Sequence, residues 1–401
     1  MKYIVLLGDG MADRPLAELG GRTPLQAAFT PNMDRLASEG LCGMARTVPG
    51  DYEPGSDVAN MSILGYDPAL YYTGRAPLEA ASMGVELKPD DVAYRCNLVT
   101  LRRDGRIAFM EDYSAGHITS EEGAKLIREV AAGLRARDAV FYPGVSYRHL
   151  MVWRGGEDMV VCTPPHDILG KNISEFMPLG PGAEFLVDLM KRSVGILEKH
   201  SVNDARVSEG RNPANSIWLW GQGKKPVLQP FKDVYGVTGA MVSAVDLMNG
   251  LAVCAGLEVL KVPGVTGWLD TNYTGKAEYA INVLRRHDFA YIHVEAPDEA
   301  GHMGKIFEKV KAIEDFDAQV VGTVLSAIRR IGPCRILLMP DHSTPIAIRT
   351  HSKEAVPFVI WDSTAPVSGR MTTYDERIGR APGAITVDKG HTLMERLIKG
   401  T

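Results

Sequence analysis

The chain has five cysteines, at 42, 96, 162, 254 and 334, and no two of them lie close together. An odd count with no C-x-x-C spacing argues against a disulfide framework and a cysteine-based zinc site. Small buried hydrophobes are the better reading of all five. No apolar run approaches the roughly 20 residues of a membrane-spanning helix. The opening run, Tyr3 to Leu7, is too short for the apolar core of a secretory leader, and no small-residue cleavage site follows it. A cytoplasmic location and no membrane partner are therefore expected. Positive charge is not in excess either. The net charge is −5, so no global basic field points to nucleic acid, and a phosphate-bearing partner needs a local basic pocket. A G-x-x-x-x-G-K-[ST] phosphate loop, internal repeats and low-complexity tracts are also missing.

What remains is an ordinary folded composition, 45% hydrophobic and 23% charged over 401 residues. That length is long for a single core, so two domains are expected. Strand-like apolar runs alternate with helical patterns in the first and last parts of the chain. Tyr3–Gly8, Phe289–Val294, Ile336–Met339 and Val356–Trp361 read as strands. Residues 31–39, 239–256, 275–286, 306–330 and 392–398 read as helices. This alternation predicts a mostly parallel sheet with helices on both faces. Between them the character changes. Tyr94–Arg102, the Asp104-Gly105 hairpin signal and Ile107–Met110 read as paired strands, followed by helices over 121–134 and 184–200. The expected organisation is one discontinuous domain, 1–87 with 226–401, and an inserted smaller α+β domain, 88–225.

The strand ends carry the chemistry. Asp9 follows the first apolar run, and Asp341-His342 follows Ile336–Met339. In α/β sheets ligands bind beyond the carboxyl ends of the strands. Asp298 and His302 have i,i+4 spacing, which on a helical turn puts both side chains on one face. His351 lies between two strands. Ser56 follows the Gly/Pro-rich loop 48–55 at the start of a helical pattern, where free N–H groups favour an anion. Taken alone, Ser56 reads better as an ordinary N-cap serine, and each histidine as a satisfied structural residue. Taken together, three Asp, three His and one Ser suit two ions of the zinc or manganese kind. A divalent cation lowers the pKa of a serine hydroxyl and neutralises a transferring phosphate.

The motifs Leu7-Gly-Asp-Gly10, Pro54-Gly-Ser-Asp-Val-Ala-Asn60, Tyr72-Thr-Gly-Arg-Ala-Pro77, Phe141-Tyr-Pro-Gly-Val-Ser-Tyr-Arg148, Ala296-Pro-Asp-Glu-Ala-Gly-His302 and Asp341-His342 run along essentially the whole chain. In them the sequence resembles the cofactor-independent phosphoglycerate mutases of the archaeal-type branch, in the alkaline phosphatase superfamily. The resemblance implies an alkaline-phosphatase-like α/β fold and interconversion of 2- and 3-phosphoglycerate without bisphosphoglycerate. It implies that Asp298, His302 and His351 hold one metal, and Asp9, Ser56, Asp341 and His342 the other. Ser56 carries the phosphate transiently, and the substrate is a small phosphorylated three-carbon acid. His117 and Arg148 resemble substrate-binding residues of the family, with Arg211 and Lys276 as further candidates. Two rival readings stay open: a homoserine kinase-type phosphotransferase of the same branch, and a metal-dependent phosphatase. The oligomeric state is not readable.

Overall fold

The computed structural model describes residues 1–367 and 371–400. Its strands begin with β1 (Lys2–Gly8), β2 (Leu41–Ala45), β3 (Val92–Asp104), β4 (Ile107–Asp112), β5 (Ala139–Tyr142), β6 (Arg148–Trp153) and β7 (Ser216–Lys224). They continue with β8 (Gly239–Val242), β9 (Glu258–Val259), β10 (Phe289–Val294), β11 (Cys334–Met339), β12 (Val356–Asp362) and β13 (Ile385–Val387). Two compact units result, residues 1–72 with 227–401, and residues 73–226. Among the described residues no helix is long and apolar enough to cross a membrane.

The first unit is built on a sheet of order β13-β2-β12-β11-β1-β10-β8-β9. β1 lies between β10 and β11, parallel to both, and β10 is parallel to β8. Only β12 runs against its neighbours β11 and β2. The central strands are apolar on both faces; Val5, Leu6, Leu7, Leu337, Leu338 and Met339 are all fully buried. That is the signature of parallel strands covered by helices on either side. Register decides the function-bearing edge. Leu7 stands opposite both His293 of β10 and Met339 of β11. The residues following these strands therefore emerge at one level.

Two elements differ from the sequence reading. Gly239–Val242 is strand β8, paired with Phe289–Ile292, and the helix is confined to Asp246–Cys254. A four-residue apolar run is too short for periodicity to separate strand from helix. The long helix expected over 306–330 is interrupted. Ile306–Asp315 runs into a π-helical turn, Phe316–Val321, before Gly322–Ser326 and Ile328–Ile331. Within that turn the Asp317 carboxylate accepts the Met33 amide at 2.7 Å and the Asn32 side-chain amide at 2.9 Å. It thus caps the helix Pro31–Glu39 from outside, favourable at the positive end of a helix.

The second unit is an antiparallel sheet, β4-β3-β6-β5 with β7 also on β3. The helices Ser120–Leu134 and Ala183–Leu197 bury Leu126, Ile127, Leu186 and Leu189 in its core. Residues 73–87, expected with the first domain, pack here. Ala76, Ala80 and Leu87 cluster with Ala93, Leu150 and Val152, and Glu79 pairs with buried Arg95 at 3.0 Å. A short helical pattern does not reveal which core its apolar face meets.

One buried ion pair clamps the first unit. Lys309 Nζ, fully buried on the helix Ile306–Asp315, lies 2.7 Å from Asp13 Oδ2 and donates to the Thr344 carbonyl at 2.8 Å. It joins the segments that follow β1 and β11. Replacing Lys309 by Met leaves the Asp13 charge buried without its partner. The expected cost is about 3 kcal/mol of stability, read as a lower urea midpoint; an unchanged midpoint would remove the clamp from the account.

Candidate metal centre

Each element delivers its polar group to the same edge. Asp9 follows β1, Glu295 follows β10, and Asp341-His342 follows β11 after Pro340. The helix Ala296–His302 carries Asp298 and His302. Ser56 opens the helix Ser56–Ile63 behind the N-cap Gly55. Gly10 must be glycine. Its φ is +61°, and a Cβ there would stand 2.5 Å from Thr344 Oγ1 and 2.8 Å from Asp298 Cα. Its amide donates to Asp341 Oδ1 at 3.1 Å.

Four of the sequence-predicted residues meet around His342 Nε2. Ser56 Oγ lies at 3.1 Å, Asp341 Oδ2 at 3.4 Å and Asp9 Oδ1 at 3.5 Å. The tautomer follows from the other ring nitrogen. Thr344 Oγ1 donates its proton to Asp298 Oδ1, so at 3.3 Å it accepts from His342 Nδ1–H. Nε2 then presents a lone pair, and the Ser56 hydroxyl donates to it. Burial pushes the imidazole down to about 4, which keeps it neutral. A lone pair, two carboxylate oxygens and a hydroxyl converge on one point, a donor set that fits a divalent cation.

The other three predicted residues meet beside it. Asp298 Oδ2 lies 3.2 Å from His302 Nε2, and Asp298 Oδ1 lies 3.6 Å from His351 Nε2. His302 Nδ1–H donates to the Arg349 carbonyl at 3.0 Å, and His351 Nδ1–H to the Pro54 carbonyl at 3.1 Å. Both Nε2 atoms therefore turn toward each other, 2.9 Å apart. Two lone pairs repel at that distance unless a proton or a cation lies between them. Burial opposes charging His302, but the Asp298 carboxylate and the Arg349 carbonyl outweigh it and lift the group to about 9. Burial likewise opposes ionisation of Asp298, yet the two imidazoles hold its carboxyl well below the usual range. Metal-ligating histidines commonly donate the second ring N–H to a carbonyl in this way.

Two groups at this edge were not singled out from the sequence. Val245 N–H donates to Ser243 Oγ at 3.0 Å, and Ser243 meets His293 Nδ1 at 3.1 Å. His293 Nε2–H then donates to Asp9 Oδ2 at 2.9 Å. His293 is thus a donor that turns Asp9 Oδ1 toward His342. Glu295 is the second. Its Oε2 and Asp9 Oδ1 are buried atoms with no hydrogen-bond partner. Burial and then the Asp298 charge push Glu295 up to about 8. Burial, Asp341 and Glu295 raise Asp9 well above the carboxylate range. The signal was present as a period of two: Tyr291, His293 and Glu295 share one parity of an apolar strand.

The remaining predicted residues are elsewhere. Lys276 lies in the first unit, fully buried, and its ammonium donates to the His293 carbonyl at 2.8 Å. In the second unit, His117 and Arg148 are exposed and flank one ring, with Arg148 4.7 Å over Tyr147 and His117 edge-on to it at 6.3 Å. His117 has φ +48°, rare for a side chain other than glycine. Arg211 is held by Glu122 at 3.1 Å and by Glu209 at 2.5 Å.

Fold and edge together define an α/β enzyme with its polar groups gathered at parallel strand ends. A family model, 2,3-bisphosphoglycerate-independent phosphoglycerate mutase, matches residues 37–203. A Geobacter sulfurreducens protein named as a probable 2,3-bisphosphoglycerate-independent phosphoglycerate mutase is 53% identical over 398 residues, 99% of this chain and 100% of the relative. A Methanosarcina barkeri mutase of the same name is 53% identical over the full length of both chains. Among solved structures, a Pyrococcus horikoshii protein superposes with a TM-score of 0.82 at 30% identity, covering 99% of this chain and 96% of that one. The cofactor-independent phosphoglycerate mutase of Thermoplasma acidophilum gives 0.65 at 29% identity over 100% and 99%. The chain belongs to the 2,3-bisphosphoglycerate-independent phosphoglycerate mutase family.

The raised groups fix a pH dependence. Glu295 is raised to about 8 and His302 to about 9, so both retain protons at pH 7, and Asp9 and His351 are shifted in the same direction. A cation bound at this edge displaces those protons. Manganese added to metal-free protein should release protons, and its affinity should rise with pH up to about 9, where His302 titrates. Calorimetry in buffers of different ionisation enthalpy checks this; proton uptake would contradict it.

Proposed function

We propose that the protein interconverts 2-phosphoglycerate and 3-phosphoglycerate by way of a phosphoserine on Ser56, with no bisphosphoglycerate cofactor. The observation that carries the reading is the meeting of Ser56 Oγ with His342 Nε2, Asp9 and Asp341, in a chain of this family. Asp298, His302 and His351 would hold one divalent cation, and Asp9, Ser56, Asp341 and His342 a second, with manganese or zinc suited to the mixed oxygen and imidazole donors. Bound there, such ions neutralise phosphate charge and make a serine hydroxyl a competent nucleophile at neutral pH.

The residues of the chain supply the rest. In the first half-reaction a bond forms between Ser56 Oγ and phosphorus while the bond from phosphorus to the ester oxygen breaks. The serine proton ends on the departing oxygen, leaving glycerate. In the second, the other glycerate hydroxyl takes the phosphoryl group and Ser56 recovers its proton. Nothing is consumed, and the equilibrium is an isomerisation. The phosphoserine dianion sits at the first residue of a helix, where free N–H groups and the macrodipole favour negative charge. Neutral His342 adds no proton of its own to the exchange.

Between half-reactions the glycerate has to be held. We assign that grip to His117 and Arg148, both exposed. A guanidinium braced on the Tyr147 ring suits a carboxylate or phosphate. Arg211 is already paired with two carboxylates, and Lys276 supports the end of β10, so neither is assigned to substrate.

Purified protein with manganese and 3-phosphoglycerate should form 2-phosphoglycerate without free phosphate. Free phosphate alone would identify a phosphatase, and ATP-dependent phosphorylation of homoserine a kinase. Ser56→Ala should lower turnover about 10⁴-fold or more while metal content stays near that of the wild type, since the other donors remain. Appreciable turnover by that variant rules out the phosphoserine route.

A further inference from the structure

We infer that Asn60 is a positioning residue for phosphoryl transfer: its side-chain amide ties the backbone of Ser56 to the carboxylate of Asp341, and Tyr291 holds that amide in the one orientation that does so. The inference rests on Ser56 being the nucleophile proposed above.

Asn60 lies one helical turn after Ser56 and is fully buried. Its Nδ2 donates to the Ser56 carbonyl at 2.8 Å and to Asp341 Oδ2 at 2.8 Å. Both amide protons are thereby used, each on an acceptor. Its Oδ1 accepts the Tyr291 hydroxyl at 2.5 Å. Tyr291 comes from β10, Asp341 from the end of β11 and Ser56 from the helix, so three separate elements meet at one amide. A flipped amide would set its oxygen against a carbonyl and a carboxylate, and its NH₂ against a phenolic O–H. In a buried site the first two contacts are mispairings, and the phenolic O–H loses its acceptor. The phenol also stays a donor, because burial and the nearby Asp341 and Asp9 carboxylates hold its proton firmly.

Asp341 is fixed from its other side as well. Oδ1 accepts the Gly10 amide at 3.1 Å and the His342 amide at 2.9 Å. Those two donors set the carboxylate on the sheet edge. Asn60 is the contact that fixes its distance from the serine. A carboxylate at position 60 has no N–H for either acceptor, and an aliphatic side chain keeps the volume but loses the tie. The chemistry therefore calls for an amide, oriented by the Tyr291 hydroxyl.

The test uses manganese-loaded full-length protein with 3-phosphoglycerate. Variants are Asn60→Leu, Tyr291→Phe and the double, with Ser56→Ala as reference; kcat, KM, bound metal and thermal midpoint are read for each. Asn60→Leu should lower kcat about a hundredfold, the size of loss a small displacement of reacting groups causes, with KM and bound metal within about twofold. Tyr291→Phe, which removes one oxygen and leaves the packing, should lower kcat about tenfold and add nothing further in the double variant, since the two act through one amide. Wild-type kcat in Asn60→Leu, losses that multiply in the double variant, or losses that follow bound metal would each overturn the positioning role while Ser56→Ala stays inactive. Turnover by Ser56→Ala would overturn the nucleophile assignment, and this inference with it.

Discussion

Four carboxyl groups crowd one edge of the parallel sheet, and most of the first unit answers to the repulsion among them. Asp9, Glu295 and Asp298 bring oxygens within 4.8 Å of one another, and Asp9 and Asp341 do the same with His293. Without compensation, like charges at such distances cannot all be ionised in a buried site. The crowding is imposed by topology. β1, β10 and β11 are parallel neighbours in matched register, so whatever follows them arrives together. Antiparallel strands would have sent one of the three acids to the opposite edge.

The compensation is distributed by hydrogen-bond polarity. Around this edge stand four imidazoles, and their tautomers are set from outside. His302 and His351 give Nδ1–H to backbone carbonyls, and His342 gives its own to Thr344. All three therefore turn Nε2 inward. His293 is reversed by Ser243 and gives its Nε2–H to Asp9. One residue type thus turns Nε2 toward the carboxylates in three places and donates a proton from it to a carboxylate in the fourth. The outer partners, rather than the histidines themselves, decide which. Lys276 works at one further remove. Its ammonium holds the carbonyl of His293, and burial pushes it down to about 8, although Glu295 and Asp9 act to keep it charged.

The sequence made these groups legible unevenly. Asp9 and Asp341-His342 stand out because an apolar run followed at once by an acid has few other meanings in an alternating α/β pattern. Asp298 and His302 announce themselves by helical spacing. His293 and Glu295 were hidden in and just after a run otherwise read as a buried strand, where only the parity of polar positions marks them. Asn60 was hidden more deeply: inside a short helix an amide looks like an ordinary helical residue, and its partners Asp341 and Tyr291 are 281 and 231 positions away. Residues 73–87 failed for the same reason. Their helix Ala76–Ser82 is a local property, but the core that receives Ala76 and Ala80 is chosen by strands far along the chain. Gly239–Val242 shows the opposite limit, since a strand of four residues carries too little pattern to be told from a helix start.

Charge balance links this edge to the reaction proposed for it. Four ionised carboxylates carry four negative charges, which two divalent cations held as proposed would cancel; imidazoles, neutral as ligands, would change nothing. A site neutral in that state does not repel the dianionic phosphate of a phosphoglycerate. With two divalent cations held as proposed, moving the phosphoryl group to Ser56 and back would conserve its charge, so neither direction of the isomerisation would meet a large change in local charge. A reaction whose substrate and product differ only in which hydroxyl carries the phosphate has little driving force of its own, and a site that is electrostatically level between its two halves suits it.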